Sequence, residues 1–187
     1  MFQGYSGGAR GADLEWTKAA LDAGWKMTIF SFRGHDRAVP THERCDVKEV
    51  SQEDLNLMLV HVKDVRTFIK RNLPAREYPR NLILRDAYTV KDAEALYAVG
   101  IIKDGMVEGG TGFSVYQHLY WTTMVGTPAN VWVFDMLTAK WYQYDTENEW
   151  SLADVPPTKH TATSPCALIG SREITPAGTE AIRQFFL

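Results

Sequence analysis

Phe2-Gln3-Gly4-Tyr5-Ser6-Gly7-Gly8-Ala9-Arg10-Gly11-Ala12-Asp13 places a short apolar segment directly before a glycine-rich loop. An Ala- and Leu-rich helix is predicted to follow, from roughly Ala12 to Ala23, with Gly24 just past its last turn where a left-handed cap favours glycine. Lys26 to Phe32 is aromatic and β-branched and predicts a second strand. Strand, glycine loop, helix and strand in that order are the βαβ unit of a parallel sheet.

The pattern recurs further along. Leu96 to Ile101 is a short apolar run suited to a buried parallel strand. Val107-Glu108-Gly109-Gly110-Thr111-Gly112 comes next, then a predicted helix from about Gly112 to Val125 and a strand from Asn130 to Met136. Cys166 to Ile169 predicts a final core strand, followed by Gly170-Ser171-Arg172-Glu173 and a last helix opened by Thr175-Pro176. Between these units, residues 34–50 and 75–81 are expected to be irregular, and Ser51 to about Arg71 a single amphipathic helix carrying Leu55, Met58, Val62, Val65 and Ile69 at helical spacing. Leu82 to Asp92 predicts another helix, Lys140 to Tyr144 a small antiparallel edge, and Ser151 to Pro165 a loop. The expected architecture is one α/β domain over residues 1–187, a Rossmann-like open, mostly parallel sheet flanked by helices.

The bulk composition narrows the function classes. The chain has 187 residues, 45% hydrophobic and 23% charged, near the average for a soluble globular protein. Its formal net charge of -3 argues against a surface built for coating nucleic acid. Cys45 and Cys166 lie far apart and outside any CxxC pattern, which predicts two reduced thiols. No His/Cys/Asp cluster has metal-ligand spacing, so neither a metal nor a resident cofactor is expected. The first residues show no basic segment followed by an apolar run, and no stretch approaches 18 apolar residues, so a cytoplasmic chain without a membrane span is expected.

The two glycine loops are the candidate ligand sites. Gly7, Gly8, Arg10, Gly11 and Asp13 surround the opening of the first predicted helix. A helix N-terminus offers free N–H groups and partial positive charge, which suit a phosphate. Arg10 can add a bidentate contact, or stay solvated while Asp13 caps the helix. Gly109, Gly110, Thr111 and Gly112 repeat the arrangement, with the Thr111 hydroxyl as a further donor. In an open parallel sheet both loops lie on the carboxyl edge, where ligands bind. Arg172 reaches the same edge if the last strand is parallel; the alternative is a surface pair with Glu173. Arg33 and His35 follow the second strand, and Asp135 ends another; each is a candidate ligand contact or an ordinary loop group. Arg85, in a predicted helix, reads as structural.

Ser-Gly-Gly-Ala-Arg-Gly-Ala-Asp (6–13), Glu-Gly-Gly-Thr-Gly-Phe (108–113), Val133-Phe134-Asp135 and Ile169-Gly170-Ser171-Arg172, in this order, resemble the SLOG superfamily. That superfamily joins the Smf/DprA proteins with the LOG ("lonely guy") and YpsA-like proteins. The closest resemblance is to its YpsA-like and molybdenum-carrier-like branch, which includes phage-borne members. The resemblance implies a Rossmann-like fold, a nucleotide-derived ligand over the glycine loops and a homo-oligomer. It implies a sensor, carrier or sequestering protein; the alternatives are an N-glycosidase acting on nucleoside phosphates, and a DprA-like partner in nucleic-acid processing. The LOG hydrolases carry Pro-Gly-Gly-x-Gly-Thr-x-x-Glu, and here Glu108 replaces Pro, Phe113 replaces Thr and Tyr116 replaces the catalytic Glu. A tyrosine cannot supply that carboxylate at neutral pH. A hydrolytic site would therefore need a displaced acid, for which Glu108 and Glu173 are the candidates.

Overall fold

The computed structural model describes residues 2–145 and 149–187. Eight strands form one sheet in the order β3-β2-β1-β10-β4-β7-β8-β9. These are β1 (Gln3–Ser6), β2 (Lys26–Phe32), β3 (Cys45–Val50), β4 (Ala95–Gly100), β7 (Val131–Asp135), β8 (Lys140–Asp145), β9 (Glu149–Leu152) and β10 (Cys166–Gly170). The six from β3 to β7 are parallel, and β8 and β9 extend the sheet antiparallel. A separate two-stranded hairpin joins β5 (Ile102–Lys103) to β6 (Met106–Val107).

The helices are α1 (Ala12–Asp22), α2 (Gln52–Leu57), α3 (Leu59–Phe68), α4 (Glu77–Val90), α5 (Gly109–Val125) and α6 (Pro176–Phe185). β1-α1-β2 steps toward one sheet edge and β4-α5-β7 toward the other. With right-handed crossovers, opposite steps put α1 and α5 on opposite faces. The two buried clusters follow that division. Trp16, Ala20, Tyr97, Leu168, Ile182 and Phe185 pack under α1 and α6. Leu55, Val65, Leu84, Ala98, Phe113 and Val133 pack under α2 to α5. The inner strands β4 and β10 are buried along almost their whole length, which explains their unbroken apolar runs. The α/β, Rossmann-like architecture expected from the sequence is the one found. No helix among the described residues is long and apolar enough to cross a membrane.

Several local expectations need correction. Residues 34–50 are not irregular throughout, because Cys45–Val50 is the edge strand β3. Its Asp46, Lys48 and Glu49 are exposed, and such charges suit an edge by discouraging further strand pairing. The helix expected from 51 to 71 is two helices. Met58 N–H donates to the Leu55 carbonyl at 3.1 Å, a tightened i to i−3 turn, and Val62 N–H then donates to Met58. The buried positions Leu55, Val62, Val65 and Ile69 remain those of the periodic pattern. α4 starts at Glu77 rather than 82: Pro79 lies in its first turn, where no intrahelical N–H is required. Ser151 and Leu152 belong to β9, not to a loop. Asp104 and Gly105, both at positive φ (51° and 75°), turn the β5–β6 hairpin, an Asp-Gly signal of the two-residue type I′ turn. α5 begins at Gly109, three residues before the expected start.

Candidate functional site

The chain reverses its direction of sheet growth between β1 and β4, with β10 inserted there, and the carboxyl ends of those three strands meet at one cavity. Open α/β sheets bind ligands at such a switch point. The cavity holds about 610 Å³, within the ordinary range for small-molecule sites. The loop after β1 contributes Ala9 and Asp13, the loop after β10 contributes Gly170 to Glu173, and α5 contributes Gly109, Gly110, Thr111 and Ser114. α4 closes the far wall with Arg85 and Asp86.

The two glycine loops differ in the space around them. In the first, Ala12 N–H donates to the Ser171 carbonyl at 3.0 Å, and Ala9 N–H donates to Asp13 Oδ2 at 3.2 Å. Asp13 Oδ1 accepts from Gly170 N–H at 3.0 Å. Gly7 packs against the Arg85 guanidinium, and Gly11, at φ 85°, lies against the Arg172 carbonyl. This loop is stitched to the end of β10, and its glycines are required by close approach. The second loop is open. α5 has no side-chain cap, and the amides of Gly109, Gly110 and Thr111 have no acceptor among the described residues. A Cβ built on Gly110 meets nothing within 4 Å. Arg71 fixes this loop from behind, donating to the Val107 carbonyl at 2.8 Å and the Gly109 carbonyl at 3.4 Å. The partial positive charge of a 17-residue helix therefore opens into the cavity.

Of the candidate residues read from the sequence, Asp13, Glu108, Gly109, Gly110, Thr111, Arg172 and Glu173 line this cavity. Arg172, Glu108 and Glu173 are exposed at its rim. Gly7, Gly8, Gly11 and Gly112 shape the adjoining backbone without lining it. Arg10 and Arg33 are exposed and lie outside the lining. His35 is buried, its ring stacked on Phe32 at 5.0 Å and its Nδ1 3.2 Å from Ser31 Oγ. Burial, with Arg85, Arg172 and Arg37 nearby, holds its pKa down to about 4, so it is neutral at physiological pH. Asp135 is buried and serves the backbone: Oδ1 accepts from Ile102 N–H at 2.9 Å, and Oδ2 accepts from Thr138 N–H and hydroxyl. Tyr116, where the LOG hydrolases carry Glu, is buried beside Phe68, and its hydroxyl accepts from Val107 N–H at 3.4 Å.

Arg85, Asp86 and Ser114 were not expected at the site. Arg85 is 3% exposed and pairs with Asp86 at 3.4 Å. Its Nη1 also donates weakly to the Phe30 carbonyl at 3.5 Å, and its Nε has no partner among the described residues. Ser114 Oγ donates to Asp86 Oδ2 at 2.9 Å. Burial pushes the Asp86 carboxyl up from the usual range, while Arg85, Ser114 and Arg172 pull against that rise. The sequence held one signal: Arg85 directly follows Leu82-Ile83-Leu84, where a freely solvated charge is out of place.

Asp13 is perturbed in the same direction. Burial raises its pKa to about 6, against the opposing pull of Arg85 and the two amides. A raised carboxyl pKa means that the folded state holds its proton more tightly than the unfolded chain. That contribution to stability is complete below about pH 4 and is lost as pH rises through about 6. About two pKa units correspond to about 3 kcal/mol in all, of which about 2 kcal/mol falls between pH 4.5 and 7.5. Asp13→Asn cannot titrate. Urea unfolding of both proteins should therefore show wild type losing about 2 kcal/mol relative to the variant over that interval. A parallel pH dependence would mean that Asp13 titrates as in the unfolded chain.

No group of three or more metal-binding side chains occurs among the described residues, and both cysteines are free. No family model, curated protein or solved structure matches this chain.

Proposed function

We propose that the chain binds a phosphorylated, nucleotide-derived ligand in the cavity at the strand carboxyl ends, as a sensor, carrier or sequestering protein. The observation that carries this reading is the amino end of α5, where the Gly109, Gly110 and Thr111 amides have no acceptor among the described residues and face a cavity of about 610 Å³. Phosphate oxygens supply those acceptors, and the helix dipole favours their charge. Arg172, exposed on the same wall, adds a planar donor fork. Leu82, Ile83, Ile101 and Met136 provide apolar wall for a base or a comparable flat group. Hydrolysis of the LOG kind is disfavoured by Tyr116, which lies in the core and outside the cavity lining.

Calorimetry against nucleoside mono- and diphosphates and ADP-ribose tests the reading, with parent nucleosides as controls. Phosphorylated ligands should bind and nucleosides should bind far less tightly. Arg172→Ala should weaken the phosphorylated ligand by about 10- to 150-fold, the worth of one charge-assisted hydrogen bond. The nucleoside should lose much less. Equal losses would assign Arg172 a structural role, and no loss would leave it a surface pair with Glu173. Release of free base during the same incubations would favour the hydrolytic alternative.

A further inference from the structure

Arg71 stands where a helix least favours a cation. Its guanidinium lies against the first turn of α5: Nη2 donates to the Val107 carbonyl at 2.8 Å, and Nη1 donates to the Gly109 carbonyl at 3.4 Å. A Cβ built on Gly112 would lie 2.7 Å from Nη1. The amino end of a helix already carries partial positive charge, so a cation there is unfavourable until an anion joins it. Among the described residues no carboxylate pairs with Arg71, Glu108 beside Gly109 in the chain included. A neutral amide side chain could tie a loop carbonyl without that penalty. A local charge rule broken at such a joint points to a use for the charge.

Covalent geometry fixes where that charge acts. In a trans peptide unit the carbonyl and the N–H point in opposite directions. The Gly109 carbonyl faces Arg71, so the Gly110 N–H of the same unit faces away from it, and Gly110 lines the cavity. That N–H has no acceptor among the described residues. Carbonyl oxygen and amide nitrogen of one unit lie about 2.3 Å apart, so the Gly110 nitrogen is at most about 6 Å from Arg71 Nη1. A charged hydrogen bond to the carbonyl also polarises the N–H at the other end of the unit.

We propose that Arg71 is a positioning residue that strengthens the anion site from behind, acting through the Gly109–Gly110 peptide unit without touching the ligand. This role rests on the phosphate reading above. It accounts for an arginine bonded to two carbonyls two residues apart, a geometry that suits a planar fork better than the point charge of a lysine. It also accounts for a cation left without a counter-charge beside a helix amino end: the bound anion supplies one.

Amide hydrogen exchange by NMR reads this charge without any ligand. Base-catalysed exchange removes the amide proton and leaves an anion, so a nearby cation speeds it. A unit charge about 6 Å away changes such a rate by about 3- to 100-fold, from bulk-water to near-surface dielectric. Arg71→Gln keeps a donor for one carbonyl and removes the charge. Its Gly110 amide should exchange more slowly than wild type by that factor. Inorganic phosphate should bind it about 2- to 20-fold more weakly, the same charge acting over about 9 Å. Arg71→Lys should recover most of both losses. A purely structural tie predicts the opposite sign, because a loosened loop exposes its amides and speeds exchange. Unchanged or faster Gly110 exchange in Arg71→Gln overturns the role of Arg71, as does unchanged phosphate affinity or an Arg71→Lys variant no better than Arg71→Gln. If Arg71→Gln does not fold, wild-type Gly110 must exchange faster than the same amide in a free Val-Glu-Gly-Gly-Thr-Gly peptide, and slower exchange overturns the role. Wild type that binds no inorganic phosphate overturns the phosphate reading and this role with it, whereas a failed exchange result alone leaves the phosphate reading standing.

Discussion

Gly110→Asp is expected to abolish binding of a phosphorylated ligand while leaving the fold intact. Its backbone is not in the positive-φ region, and a Cβ there meets no atom within 4 Å. The new side chain therefore projects into free space rather than into the core. Its carboxylate sits on the amides that would hold the phosphate and repels the incoming anion. The affinity loss should exceed about 100-fold, or about 2.7 kcal/mol. Stability should move the other way, because an acidic residue in the first turn of a helix is favourable by about 0.3–1 kcal/mol. Lost affinity at an unchanged or raised melting temperature is the distinguishing pattern. Unchanged affinity for a ligand that wild type binds would remove the second glycine loop from the site.

The opposite result is expected at Gly11. Its φ of 85° and ψ of -132° lie where residues with a Cβ are strained, and the Cβ would run into the Arg172 carbonyl. Such backbone strain costs about 1–3 kcal/mol, and overpacking against fixed backbone adds about 1–3 kcal/mol. Gly11→Ala should thus destabilise the protein by about 2–6 kcal/mol, lowering the melting temperature by about 10 °C for a chain of this size. Gly24 is the control. It too has a positive φ (83°), but a Cβ there meets nothing. Gly24→Ala should cost only about 1–2 kcal/mol. If both variants melt alike, the junction between the first loop and β10 is not the tight joint the geometry describes.

These two glycines also show what could be read from the sequence and what could not. Both loops were legible as glycine-rich openings of helices, because strand, glycine turn and amphipathic helix leave a periodic trace. Their division of labour was not. Nothing in Gly7-Gly8-x-Arg10-Gly11 says that the following amide goes to Ser171, or that Asp13 turns back onto Ala9 and across to Gly170. The bonds to Ser171 and Gly170 cross more than 150 residues of chain and depend on β10 inserting between β1 and β4. Asp86 was hidden for a related reason. Its burial beside Arg85 could be suspected from the apolar run before it, but only the packing of α4 against α5 brings it to Ser114. The edge strand β3 was masked by its charges, whereas the Asp104-Gly105 turn was a local signal present in the chain.

The claim that the amino end of α5 is the anion site can be observed directly in the backbone amides. Amide NMR shifts of the labelled protein, followed during titration with AMP and in parallel with inorganic phosphate, report on Gly109, Gly110 and Thr111 individually. Both ligands should shift these three amides saturably, with the Gly7 and Gly8 amides moving little. Saturable shifts centred on Gly7 and Gly8 instead, or no saturable shift at Gly109 to Thr111 with either ligand, would contradict the assignment.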